Sequence, residues 1–412
     1  MLKIFKNTSM IYIVLIILSG CNVLESPTSL IKPPKLGQDQ AALMNAVQAV
    51  LPAGVKLLSP VEKGDASPFS LIDLDRDHKD EAVIFYYDAV KNTGIKGLIF
   101  IEKNGIWHLD QTFSGLGIEL FDLQFADVTG DEKLEIIAGY ANGVLEKGLN
   151  IYEWQQGSIK TLFDTAYSQF AVDDLNQDGL KEITILLVNR GVSAVVTTYL
   201  YSQNEFIALD PMLLDEFGSY ENVISGFVTN ERRGLVLDIQ VGAHAAYTEV
   251  LLLENNQLQK ASEEMENLTW KDYPVHSEDV DLDGIIEIGK LIRPVGFENE
   301  SYASTPYITG YYQWSDNDEL KLKVQRFYEY QKGFYFEFPK EWNNLLTIER
   351  SDDEQEISFV TINGGELIFD VISVPVEEWK SNENTFELGR TNEYVFAMSV
   401  DNSELYTYFH LL

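Results

Sequence analysis

The chain has 412 residues, 45% hydrophobic and 12% aromatic, enough for two or three domains with a large core. Its net charge of −35 excludes the basic footprint that nucleic-acid binding requires and disfavours adsorption to anionic lipid. A single cysteine, Cys21, excludes a disulfide framework.

In chain order, residues 1–20 carry Lys3 and Lys6 followed by the short apolar run "MIYIVLIILSG", the pattern of a secretory signal rather than a membrane span. The run Leu18-Ser19-Gly20-Cys21 resembles the bacterial lipobox. That resemblance implies cleavage before Cys21, lipidation of its thiol, and an extracytoplasmic protein anchored through lipid to the bacterial cell membrane. Residues 21–40 are polar and proline-rich and read as a tether. Gln40–Leu51 has helical apolar spacing, and "VKLLSPVE" after it suits an outer strand.

Four acidic stretches then recur in one register: "DLDRDHKDE" from Asp73, "DVTGDEKLE" from Asp127, "DLNQDGLKE" from Asp174 and "DVDLDGIIE" from Asp279. Acids at alternate positions repel one another unless a cation sits between them, and Ca2+, which takes six to eight oxygen ligands in a flexible shell, suits them. An EF-hand places its glutamate at position twelve between helices. Here the glutamate stands at position nine, before β-branched runs such as "ITILLV", so each loop joins two strands.

Over residues 55–328 the chain resembles the FG-GAP/VCBS repeat family, the integrin-α-like β-propellers whose blades carry calcium loops between their first two strands. The resemblance implies ligands residue by residue. Asp73, Asp75, Asp77 and Glu81 serve the first loop; Asp127, Thr129, Asp131 and Glu135 the second; Asp174, Asn176, Asp178 and Glu182 the third; Asp279, Asp281, Asp283 and Glu287 the fourth. Lys79, Lys133, Leu180 and Ile285, at position seven, would each give a backbone carbonyl. Position six favours glycine for the sharp turn. Gly179 and Gly284 comply, whereas His78 and Glu132 do not. With Thr129 in place of an acid, the second site is expected to be the weakest and the first somewhat strained.

The wide spacing between the third and fourth loops hides a fifth repeat without ligands. Laying "GLVLDIQVGAH" on the other repeats puts Gly226, Val228, Asn230 and Gly234 at the ligand positions. The second repeat shows four strands, with Gln156-Gly157 as a tight hairpin. The expected fold is therefore mainly β: a propeller of about five four-stranded blades over residues 41–330, holding about four Ca2+ ions. The ring has five blades, or a sixth built from the chain ends. Residues 331–412 lack the loop motif. Their "FPKEW" run resembles the opening of PsbP/Mog1-like domains, which implies a small α+β C-terminal domain.

No catalytic signature emerges: none of the five histidines forms H-E-x-x-H, and no G-x-S-x-G or Walker A run is present. His244 and Tyr247 are a possible acid–base pair, or the polar end of a hairpin. "TPYITGYYQW" suits a blade strand or a sugar platform. The composite expectation is a non-enzymatic binding or scaffold module at the cell surface, with a protein or glycan ligand on a propeller face. The alternative is a polysaccharide lyase or hydrolase on a calcium-loop propeller.

Overall fold

A computed structural model describes residues 38–412 except 63–65, 89–93, 144–146, 316, 352–354, 381–384 and 401. The signal segment, Cys21 and nearly all of the tether lie outside the described residues. The structure is mostly β, in six antiparallel sheets that follow one another along the chain. The helix expected after the tether spans Gln38–Val50, and the outer strand that follows it is Lys56–Leu58.

Each of the first four sheets is a meander in which the second strand is almost wholly apolar. The clearest is Glu135–Ala141, buried along its whole length. Such strands carry no inside–outside alternation because both faces are covered. In the first sheet Val83 and Phe85 pack with Leu123, Ile136 and Tyr152 of the second. The intervening Ile84 packs with Leu98 and with Leu43 and Val47 of the helix. The same division by odd and even residues repeats down the row. Ile137 and Leu149 of the second sheet meet Ile183 and Ile185 of the third. Leu186 and Val196 meet Leu235 and Leu237 of the fourth, and Val236 and Val250 meet Ile288 and Trp314 of the fifth. Gly97 makes one of these packings possible, because a Cβ there would lie 2.1 Å from the Phe113 ring. The end faces of the row are covered by the helix on one side and by the sixth sheet on the other, so among the described residues the row is not closed into the ring expected of a propeller.

The fifth sheet departs from the pattern. Its first strand is reduced to a Glu278–Glu287 bridge. Its remaining strands are Ile288–Ile292, Ile308–Ser315, Glu319–Glu329 and Phe334–Glu337, with Phe409–Leu411 added at the edge. The change of sequence character near residue 330 thus falls in a turn within one sheet. Residues 331–412 share an aromatic core with the fifth repeat, in which Phe327 and Phe336 pack against Phe359, Phe369 and Phe396. The helices expected of an α+β unit are, among the described residues there, two 3-10 turns, Lys340–Trp342 and Ser403–Thr407.

Candidate metal centre

The four loops follow one hydrogen-bonding plan. The position-one aspartate accepts backbone N–H groups from across its own loop. Asp174 takes those of Asp178 and Gly179, both at 3.0 Å; Asp73 those of Asp77 and His78; Asp127 those of Gly130 and Glu132; and Asp279 that of Gly284. The position-five aspartate accepts the N–H of residue seven, as in Asp77–Lys79, Asp131–Lys133, Asp178–Leu180 and Asp283–Ile285. Position nine closes the loop. Oε2 of Glu81, Glu135, Glu182 and Glu287 accepts the N–H of Leu74, Val128, Leu175 and Val280 at 2.9, 3.0, 2.7 and 2.9 Å.

This winding needs two left-handed residues per loop. Position six was expected, and His78 and Glu132 adopt φ of 68° and 70° where the third and fourth loops have glycine. A non-glycine residue there costs about 1 kcal/mol or more. Position four is left-handed as well, at Arg76, Gly130, Gln177 and Leu282, and only Gly130 carries a residue-type signal for it.

The four glutamates are 4% exposed or less. Burial, and then the loop aspartates, push each carboxyl up to about 7 against the pull of its backbone N–H donor. In three loops the carboxylates converge. One oxygen from each of Asp73, Asp75 and Glu81 lies within 4.8 Å of the others, and the same holds for Asp174, Asp178 and Glu182 and for Asp279, Asp281 and Glu287. That separation is about twice the 2.3–2.6 Å of a calcium–oxygen contact, so one ion between them is in reach of all three. Glu182 Oε1, Asp279 Oδ1 and Asp281 Oδ1 are buried and lack a hydrogen-bond partner. Buried carboxylate oxygens left without donors are costly unless a cation completes them. The donor set fits Ca2+.

The second loop does not converge in this way. The Thr129 hydroxyl donates to Glu135 Oε1 at 3.3 Å, filling the oxygen that the third loop leaves without a partner on Glu182. Asp131 lies 3.7 Å from the ammonium of Lys133. Asn176 in the third loop accepts from the N–H of Asp178. The fourth loop is invaded by its own sheet. Lys323 Nζ lies 2.9 Å from Asp283 and 4.0 Å from Asp281. The Gln313 amide donates to Asp283 and to Glu287 Oε1, and Lys340 stands 4.0 Å from Asp281. Asp283 lies outside the converging set, as does Asp77, its equivalent in the first loop.

The ligand-free repeat differs from the alignment made on sequence. Gly226 pairs with Gly234 inside the strands, and Phe227 pairs with Arg233. In the ligand loops the residue before position one pairs with the position-nine glutamate, as Asp173 does with Glu182. Arg233 therefore occupies position nine, and the connection is three residues shorter. Its guanidinium pairs with Asp173 of the preceding repeat at 2.5 Å and lies over the Phe227 ring.

The loops of successive sheets adjoin. Leu134 N–H donates to Leu74 O at 2.9 Å, Gln177 reaches Glu231 O, and Ile286 N–H donates to Phe227 O at 2.8 Å.

His244 and Tyr247 do not form a pair. His244 stacks on Tyr302 at 4.4 Å, whereas Tyr247 is buried in the core between the third and fourth sheets. A feature missed on sequence is the fully buried pair of Asp238 and Lys271, 2.8 Å apart. Asp238 also accepts from Thr248, Asn222 and Ser277. Lys271 donates further to Thr248, Val275 O and Gly289 O. Burial alone would raise the Asp238 carboxyl, but Lys271 and these donors outweigh it and hold it below the usual range. Burial draws the Lys271 ammonium down, opposed by Asp238. The contacts fit the ionised pair, since both groups are surrounded by partners of the right sense. The available signal was one acid inside the apolar strand "LVLDIQV".

Comparison with protein-family models gives no match, and comparison with curated proteins gives none. Among solved structures, the chain is similar to the exotype rhamnogalacturonan lyase YesX, at 13% identity and a TM-score of 0.31, covering 69% of this chain and 66% of that one. It is similar also to the rhamnogalacturonan lyase PL11 of Bacillus licheniformis, at 12% identity and a TM-score of 0.31, covering 77% of this chain and 64% of that one. The chain thus spans just under two thirds of the length of either.

Proposed function

We propose that this chain is a calcium-stabilised, propeller-like binding or scaffold module, held outside the cytoplasm by lipid on Cys21. The five repeat sheets are its blades. The observation that carries the metal assignment is the set of buried carboxylate oxygens without donors, Glu182 Oε1, Asp279 Oδ1 and Asp281 Oδ1, each on a residue of a converging acidic loop. The residues that would hold Ca2+ are Asp73, Asp75 and Glu81; Asp174, Asp178 and Glu182; and Asp279, Asp281 and Glu287, with the loop around Asp127 the weakest. When bound, the ion supplies charge neutralisation and a fixed loop geometry. The chain's own backbone donors already orient the carboxylates. The role is structural, because each acid is tied to its own loop.

Equilibrium dialysis against Ca2+ together with calorimetry tests this. Two to four ions per chain and a melting temperature that falls with chelator are expected, with Asp178→Ala lowering calcium-dependent melting more than Asp131→Ala. Fewer than two ions per chain would contradict the assignment. A variant that loses a glycan-cleaving activity while its calcium-dependent melting is unchanged would replace the module with an enzyme.

A further inference from the structure

The fifth sheet carries a second concave site, built largely of tyrosine and bordering the fourth loop only through Glu278, the residue before Asp279. Tyr273, Tyr307, Tyr311, Tyr328 and Tyr330 line a cleft of about 630 Å3 together with Arg350 and Glu278. A second hollow of about 510 Å3 shares Thr305, Tyr328, Tyr330 and Arg350 with it, so the two form one elongated groove with these residues at its waist. Each hollow falls within the 300–1,000 Å3 usual for ligand sites.

The floor is the face of a sheet. Thr309 pairs with Leu291 on one side and with Arg326 on the other, and Tyr311 and Tyr328 lie two residues along on the same face. A sheet face offers no unpaired backbone groups, so strand addition by a peptide is not available there. It offers rings and hydroxyls instead. The Tyr328 and Tyr330 rings are parallel within 5°, with centroids 5.3 Å apart. Tyr330 is 74% exposed, a large ring left in water at the waist of the groove. The Tyr311 and Tyr328 hydroxyls are 3.0 Å apart, and Glu278 lies 3.4 Å from Tyr311.

The charge of the groove is balanced. Arg350 is paired with Glu329 at 3.2 Å, so it does not stand as a free anion trap. The whole chain, at −35, repels polyanions.

We propose that this groove binds a neutral oligosaccharide. Such a ligand is a chain long enough to span both hollows. Its pyranose rings present C–H faces to the negative faces of tyrosine rings, and its hydroxyls meet the tyrosine hydroxyls, Glu278 and Arg350. The inference rests on the binding-module reading and supplies its ligand class. It uses none of the calcium ligands.

The test is isothermal titration of the whole calcium-loaded protein with cellohexaose, xylohexaose and mannohexaose, with hexagalacturonate as the charged counterpart and a proline-rich peptide as the non-glycan competitor. At least one neutral hexasaccharide is expected to bind, and Tyr330→Ala to weaken it about tenfold, with melting unchanged because the ring is exposed. Tyr328→Phe, which keeps the ring and removes the hydroxyl, should weaken binding less than Tyr330→Ala. Asp178→Ala should keep glycan binding at temperatures where it is folded, which separates failure of the groove from failure of the calcium assignment. Binding of none of the three neutral sugars, preference for hexagalacturonate or the peptide, or affinity unaltered by Tyr330→Ala would each overturn the proposal.

Discussion

Glu182→Gln should change the sign of its effect on stability with calcium, because a metal-free protein and a loaded one need opposite things from position nine. Without metal, Glu182 is buried beside Asp174 and Asp178, and its carboxyl moves from the ordinary 4.5 to about 7. A shift of that size corresponds to about 3.4 kcal/mol of differential stability. Asp178 and Gly179 at the loop mouth are exposed, so water relaxes the penalty to about half, roughly 1.5–2 kcal/mol. The folded state holds its proton more tightly than the unfolded state. The associated stability is therefore full below about 4.5 and is lost as pH rises through about 7. A neutral glutamine escapes that loss, and its amide can donate toward the aspartates. In chelator at about pH 8, Glu182→Gln should thus be the more stable protein by about 1.5–2 kcal/mol, shrinking toward zero as pH falls to about 4.5. With Ca2+ at a hundredfold excess over its dissociation constant, the parent gains about 2.7 kcal/mol at this loop, and the variant forgoes most of it. At roughly 1–2 °C per kcal/mol for a chain of this size, calorimetry at several pH values, with and without chelator, resolves the crossover. A variant that is less stable than the parent in chelator at pH 8 as well as in calcium would refute the account, since burying the ionised glutamate would then cost nothing.

Three further outcomes follow from the same contacts. Lys271→Met leaves the fully buried Asp238 without its counter-charge and should cost about 3–5 kcal/mol; adding Asp238→Asn should recover part of it, and a double-mutant cycle in urea that shows simple additivity would contradict the pairing. Lys323→Met removes the ammonium that holds Asp283 and should raise calcium affinity at the fourth loop roughly tenfold, read by titration in an Asp178→Ala background; unchanged affinity would show that Lys323 does not compete with the ion. Cys21→Ala should leave the protein unprocessed or free of the membrane fraction, and normal processing with unchanged fractionation would remove the lipid anchor from the model of function.

The sequence by itself determined the loops. Their defining hydrogen bonds span two to seven residues, from Asp178–Leu180 to Glu182–Leu175, so spacing alone carried the winding of the acidic loops and the helix, strands and hairpins beside them. The left-handed residue at position four escaped because Arg76, Gln177 and Leu282 carry no residue-type signal for it. Tertiary structure decided everything that joins distant positions. Arg233 reaches Asp173 sixty residues away, Lys323 enters a loop forty residues before it, and Phe327 builds one core with the sixth sheet across the boundary expected at 330. A charged side chain reads as surface in a sequence, because whether its partner arrives depends on which strands the fold brings side by side. The tyrosines of the groove are the same case. Tyr273, Tyr311 and Tyr330 lie on different segments, and a common concave face arises only when the fifth sheet pairs and the loops before it fold over.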